Sequence, residues 1–178
     1  KLLTIAGSDS SGGAGIQADL KTFAAHKTYG MSVITSLTAQ NTIGVTGVID
    51  TPPEFVAKQL DSVFTDIYPD AVKIGMVSNA DTIKMIAQKL KEYNAKNVVV
   101  DTVMVATSGS RLMESTATEA LIEELLPIAD IITPNMSEAA VLSQIEVNTK
   151  REMEKAARII SKFMEGTILV TGGHLKDC

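Results

Sequence analysis

A glycine-rich loop gathers the first residues that could do chemistry. Ser8, Asp9, Ser10 and Ser11 precede Gly12-Gly13-Ala14-Gly15, and Asp19 follows closely. Backbone N–H groups at a helix start of this kind can face an anion or a polar ligand. Further polar steps close apolar runs: Gln40-Asn41, Gly75-Met76, Asp101-Thr102, Pro134-Asn135 and Gly172-Gly173. Two phosphate motifs fail on this loop. Gly7 to Gly12 has the span of a P-loop, but Gly13-Ala14 stands where lysine and a hydroxyl residue are required. Gly13-Ala14-Gly15-Ile16-Gln17-Ala18 matches G-x-G-x-x-A, yet six residues separate it from the apolar run ending at Ala6. The second run also ends in Gln40-Asn41 instead of an acid for a ribose. A plain glycine turn that lets the chain pass closely into a helix stays open as a second reading.

The elements that must position these steps follow from spacing. Leu2–Ala6, Met31–Ala39, Ala71–Ile74, Val98–Val100, Ile131–Thr133 and Ile168–Thr171 read as strands, with Gly44–Ile49 as a short extra strand at an edge or in a flap. Apolar residues at helical spacing predict helices over Gly15–Lys27, Pro53–Asp66, Asn79–Tyr93, Thr118–Leu126, Ser137–Leu142 and Lys150–Met164. Ser137 or Asn135 would cap the fifth of these. Ser8–Ala14 and Val103–Ser115 resist assignment, and the length of the second makes it a candidate lid. The alternation predicts an α/β fold with a mainly parallel, doubly wound sheet and helices on both faces. Ligands of such sheets bind beyond the carboxyl ends of the strands. The strand ends therefore point to a small-molecule site.

Composition narrows the classes. At 178 residues and 45% hydrophobic content, the chain suits one domain, residues 1–178, with a real core. A net charge of −5 without a basic cluster disfavours nucleic acid and anionic membranes. No apolar run approaches the roughly 18 residues of a membrane span, and no signal-peptide pattern stands at the start. The single Cys178 excludes an internal disulfide framework and fits a reducing compartment. A cytoplasmic protein is the expectation.

At the level of whole motifs the chain resembles a known family. Ala6-Gly7-Ser8-Asp9-Ser10-Ser11-Gly12-Gly13-Ala14-Gly15-Ile16-Gln17-Ala18-Asp19 resembles the opening signature of the hydroxymethylpyrimidine/phosphomethylpyrimidine kinases of thiamine biosynthesis, within the ribokinase-like superfamily. Tyr29-Gly30-Met31-Ser32, Thr38-Ala39-Gln40-Asn41-Thr42, Lys73-Ile74-Gly75-Met76, Asp101-Thr102-Val103-Met104, Thr133-Pro134-Asn135-x-x-Glu138-Ala139 and Gly172-Gly173-His174 continue it in order. The opening signature is also similar to a bacterial branch of pyridoxal kinases, but Thr-Ala-Gln-Asn-Thr favours the thiamine branch.

The resemblance implies transfer of the γ-phosphoryl group of ATP, with Mg2+, to the hydroxymethyl of an aminopyrimidine and then to its monophosphate. Gly7, Asp19, Gln40, Met76 and Val103 stand at the family's pyrimidine-binding positions. The residue types suit a neutral, polar-edged ring. Gln40 offers both an amide donor and an acceptor, Asp19 accepts from an amine, and Met76 and Val103 supply apolar walls. Asp101 and Glu138 are the metal-side carboxylates; magnesium uses one or two such groups with phosphate oxygens and water. Asn135, Glu138 and Thr171 lie on the nucleotide side. The Asn135–Glu138 spacing equally describes a helix cap. Thr171 stands where relatives often carry lysine, so it brings a hydroxyl without charge.

The family's Gly-x-Gly-Asp or Gly-x-Gly-Cys element is absent from the 178 residues, so the catalytic residue is unknown. Such an anion hole contributes several kcal/mol to a transition state. Cys178 follows Leu175-Lys176-Asp177 and is not that element; His26 and His174 read as structural or solvated. A C-terminally incomplete copy of a longer fold is the expectation. Relatives often form dimers, which makes Gly44–Ile49 a candidate contact edge of a homodimer. A pyridoxal kinase, or a fragment that binds pyrimidine or nucleotide without turnover, is the alternative.

Overall fold

The computed structural model describes residues 1–104 and 115–172. Its framework is a seven-stranded sheet in the order β3-β2-β1-β4-β5-β6-β7. The strands are β1 (Leu2–Asp9), β2 (Gly30–Gln40), β3 (Val45–Asp50), β4 (Ala71–Ile74), β5 (Val98–Val100), β6 (Ile131–Ile132) and β7 (Thr167–Ile168). Only β3 runs antiparallel, paired to β2 at the sheet edge, as the extra strand over Gly44–Ile49 predicts. β1 lies inside the sheet between β2 and β4, with consecutive residues Leu3, Thr4, Ile5 and Ala6 all fully buried. Because successive side chains point to opposite faces, that run requires cover on both.

The helices are α1 (Gly15–Ala25), α2 (Pro53–Phe64), α3 (Ala80–Glu92), α4 (Ser115–Ala120), α5 (Met136–Ser143) and α6 (Lys150–Ile160). α4 runs on through a π turn, Leu121–Leu125, and a 3-10 turn, Leu126–Ile128. Apolar spacing and caps explain where they form. In α3, Ile83, Ile86, Ala87 and Leu90 are buried, and the Asn79 side chain accepts from the Thr82 N–H at its start. Asn135, and not Ser137, caps α5 through a capping box with Glu138. Thr149 does the same for α6 with Glu152. Burying each large side chain of this core contributes about 1.5–3 kcal/mol.

Several boundaries differ from the sequence reading. β1 continues past Ala6 to Asp9 across a register shift at Gly7. β7 stops at Ile168, and Thr171 returns to the sheet only as a lone parallel bridge to Asn135. α6 ends at Ile160, four residues before the predicted Met164, with Ser161 as its C-cap. The candidate lid over Val103–Ser115 falls mostly on residues 105–114, outside the described residues, as do Gly173, His174 and Cys178. No helix among the described residues is long and apolar enough to cross a membrane.

The connection order creates a crevice. α1 carries the chain from β1 to β2 on one side, whereas α2 returns it to β4 on the other. Neighbouring connections thus diverge at the carboxyl end of β1, where ligands bind in open α/β sheets. The turn into α1 is tight. Gly15 has φ +56°, and a Cβ there would run into the carbonyl oxygen of Gly7. Gly15→Ala should therefore destabilise the fold by more than ~2 kcal/mol, combining left-handed strain with a backbone clash. Urea unfolding measures this; an unchanged midpoint would contradict the turn's role.

Candidate functional site

Asp9 organises the floor of the crevice. Its carboxylate accepts from the Ser11 N–H at 2.8 Å, the Gly13 N–H at 2.9 Å and the Ala14 N–H at 2.8 Å, and also from the Ser11 hydroxyl. The Gly13 and Ala14 amides that sequence reading offered to a ligand are thus turned onto Asp9. Gln17 fastens the same turn, accepting from the Asp9 N–H at 2.8 Å and donating to the Ser8 hydroxyl at 2.9 Å. Sequence reasoning singled out neither role, although Asp two residues before Ser is an Asx-turn signal.

Around this floor the structure closes a cavity of about 370 Å³, lined by Gly7, Asp19, Gln40, Met76 and Val103 together with Asp101. Residues from five separate segments therefore meet, and each arrives from a strand end or from α1. Gly7 is at the shifted step of β1, and a Cβ there would meet the buried Ser36 Oγ at 2.8 Å and Met76 Cε at 3.0 Å. Gln40 ends β2, where the Thr38 hydroxyl donates to its Oε1 at 3.2 Å and Ser10 bonds its backbone. Val45 and Val48 of β3 add an apolar wall.

Besides Asp9, three charged side chains line the cavity and form one cluster. Lys73 on β4 lies 3.1 Å from Asp19 Oδ2 and 3.7 Å from Asp101 Oδ2. The Thr4 hydroxyl donates to the same Asp19 oxygen at 2.6 Å. Burial pushes the Asp101 carboxyl above its ordinary value; Lys73 opposes the shift, and neighbouring Asp19 adds to it. Lys73 belongs to a quoted motif, but its place between two acids was not read from sequence.

Asn135, Glu138 and Thr171 do not line this cavity. They gather beside it, past β6, where Thr171 bridges Asn135 and donates its N–H to the Pro134 carbonyl at 2.8 Å. Glu138 is only 4% exposed. Its carboxylate accepts from the Asn135 N–H at 2.9 Å, the Thr102 hydroxyl at 3.1 Å and the Met104 N–H at 3.3 Å. The helix-cap reading of this spacing therefore describes what Glu138 does, and it also pins the segment that carries Asp101 and Val103. Burial raises the Glu138 pKa, and the charge of Asp101 adds to that effect. No cluster of three or more His, Cys, Asp or Glu fit for a metal occurs among the described residues.

A family model described as phosphomethylpyrimidine kinase matches residues 9–178. The chain belongs to that family. A hydroxymethylpyrimidine/phosphomethylpyrimidine kinase of Rhizobium meliloti is 54% identical over 175 residues, covering 98% of this chain and 65% of the relative. The chain thus spans slightly less than two thirds of that relative's length. A phosphomethylpyrimidine kinase from Clostridium difficile superposes with a TM-score of 0.92 at 51% identity, covering 99% of this chain and 77% of that one. A pyridoxal kinase from Staphylococcus aureus, in complex with AMP-PCP and pyridoxal, gives a TM-score of 0.85 at 40% identity over 99% of this chain and 64% of that one. The shared architecture is the ribokinase-like sheet that the sequence predicts.

Asp9 supplies a pH test. Burial alone would raise its pKa, but the hydrogen bonds from Ser11, Ala14 and Gly13 together hold it below the ordinary value. A depressed folded-state pKa gives stability that is fully present above the unfolded value and lost as pH falls through the folded value. Asp9→Asn should lower stability at neutral pH by about 1–3 kcal/mol. The gap to the parent chain should narrow below about pH 4. Chemical denaturation at several pH values measures it, and a gap independent of pH would contradict the assignment.

Proposed function

We propose that the chain is a cytoplasmic ATP- and magnesium-dependent kinase of thiamine biosynthesis. It phosphorylates 4-amino-5-hydroxymethyl-2-methylpyrimidine on its hydroxymethyl oxygen, and then the resulting monophosphate. The observation that carries this reading is the convergence of Gly7, Asp19, Gln40, Met76 and Val103 on one cavity with Asp101 beside them. A flat aminopyrimidine suits a site whose walls are apolar and whose few polar groups are fixed. Gln40 addresses the ring edge, Asp19 accepts from the amine, and Met76 and Val103 face the ring.

Asp101 fits the metal side of the site. It is partly exposed, and among the described residues Lys73 and Thr133 bond it. Glu138, with donors on both oxygens, fits a role through the metal's water shell. When bound, magnesium neutralises charge on the transferring phosphates. Asn135 and Thr171, side by side, form the nucleotide side; a hydroxyl at Thr171 gives a weaker phosphate contact than a cation would.

The likeness to a pyridoxal kinase held with AMP-PCP and pyridoxal favours pyridoxal as the second substrate reading. A homodimer through β3 belongs to the same proposal, since Ile49 on that edge is 72% exposed and Ile43 just before it is 90% exposed.

Mass spectrometry of phosphorylated products tests the function, with hydroxymethylpyrimidine and pyridoxal offered together with ATP and magnesium. Phosphorylated pyrimidine should dominate; pyridoxal phosphate as the main product would move the chain to the second reading. Calorimetric binding of the pyrimidine without turnover would identify a binding module. Gln40→Ala should weaken pyrimidine binding about tenfold or more, the worth of a paired amide. Asp101→Asn should leave that binding nearly intact and reduce magnesium-dependent turnover. Full activity and affinity in both variants would contradict the site.

A further inference from the structure

Asp19 is held on one side only. Its Oδ2 accepts from the Thr4 hydroxyl at 2.6 Å and from Lys73 Nζ at 3.1 Å. No group among the described residues donates to Oδ1. Thr4 and Lys73 are direct partners in the parallel register of β1 and β4, so the sheet presents both donors together to α1. Side chains of Lys73 and Asp19 are mostly buried, at 26% and 17% exposed. An ion pair at that depth is less screened than a surface one and has a defined geometry. Asp101 lies within 3.7 Å of the same ammonium, so one cation stands between two acids of the cavity.

We propose that Lys73 is a positioning residue for substrate recognition: with Thr4 it fixes Asp19 by one oxygen, leaving the other turned to the cavity as the acceptor for the amino group of the ring. This rests on the pyrimidine reading of the site. Lys73 itself touches the carboxylates and does not contact the amine. Without it, Asp19 and Asp101 face each other uncompensated, and Asp19 loses its fixed rotamer. The consequence is selective. Recognition of the exocyclic amine weakens, whereas the contacts of Gln40, Met76 and Val103 to the rest of the ring persist.

Calorimetry of two compounds tests this, 4-amino-5-hydroxymethyl-2-methylpyrimidine and its analogue with hydrogen in place of the amino group. The parent chain should prefer the amino compound by roughly tenfold or more, as for a hydrogen bond to a charged acceptor. Lys73→Met should erase most of that preference while binding the analogue about as well as the parent does. Lys73→Arg keeps the cation and should restore much of the preference. Equal losses for both compounds in Lys73→Met, or an undiminished preference, would overturn the positioning role alone. If Lys73→Met does not fold, an Arg variant that binds the analogue normally but shows no amine preference would overturn it equally. Failure of the parent chain to bind either compound would overturn the pyrimidine reading and this role with it.

Discussion

The carboxylate of Asp9 decides where α1 begins. By accepting the Gly13 and Ala14 amides at the end of β1, it folds the polar loop back on itself and delivers Gly15 into the helix. Everything α1 contributes follows from that placement. Asp19 comes to rest against Thr4 and Lys73, and Ala14, Gly15 and Ala18 form one side of the cavity. A buried carboxylate without those donors would carry an uncompensated desolvation cost, so the loop has little freedom to adopt another form. The helix start is thus a scaffold held from within, and the cavity-lining Asp19 lies one turn further on.

A similar economy governs the far side. Glu138 caps α5 and also reaches Thr102 and Met104, so one buried acid joins the start of a helix to the segment after β5. Asp101 and Val103 depend on that tie for their position. Asp9 and Glu138 are in this sense the two internal anchors, while Asp19, Gln40 and Asp101 line the cavity. Division of the polar residues into anchors and presenters is what lets a cavity with an apolar lining hold several charges.

Much of this was legible in the residues. Apolar runs and helical spacing predict the strands and helices because core burial enforces those periods, and Asn135 signals a cap through its spacing to Glu138. The cavity positions Gly7, Asp19, Gln40, Met76 and Val103 were legible from family motifs, not from periodicity: singly, Met76 and Val103 look like core. Lys73 escaped because its meaning lies in the register of β4 against β1, a contact between residues 4 and 73 that no local pattern encodes. The early end of β7 escaped for a related reason, since Leu169–Thr171 keep strand-like composition while their pairing thins to the Leu169 N–H on the Ile132 carbonyl and the lone bridge of Thr171 to Asn135.

The chemistry of the site rests on an aminopyrimidine in the cavity beyond β1, β2 and β4. A crystal structure of the chain with 4-amino-5-hydroxymethyl-2-methylpyrimidine tests it most directly. The ring should lie between Met76 and Val103, with its edge on the Gln40 amide and its amine on Asp19. Density for the ring in the open groove between α6 and Val170, with the first cavity empty, would contradict it.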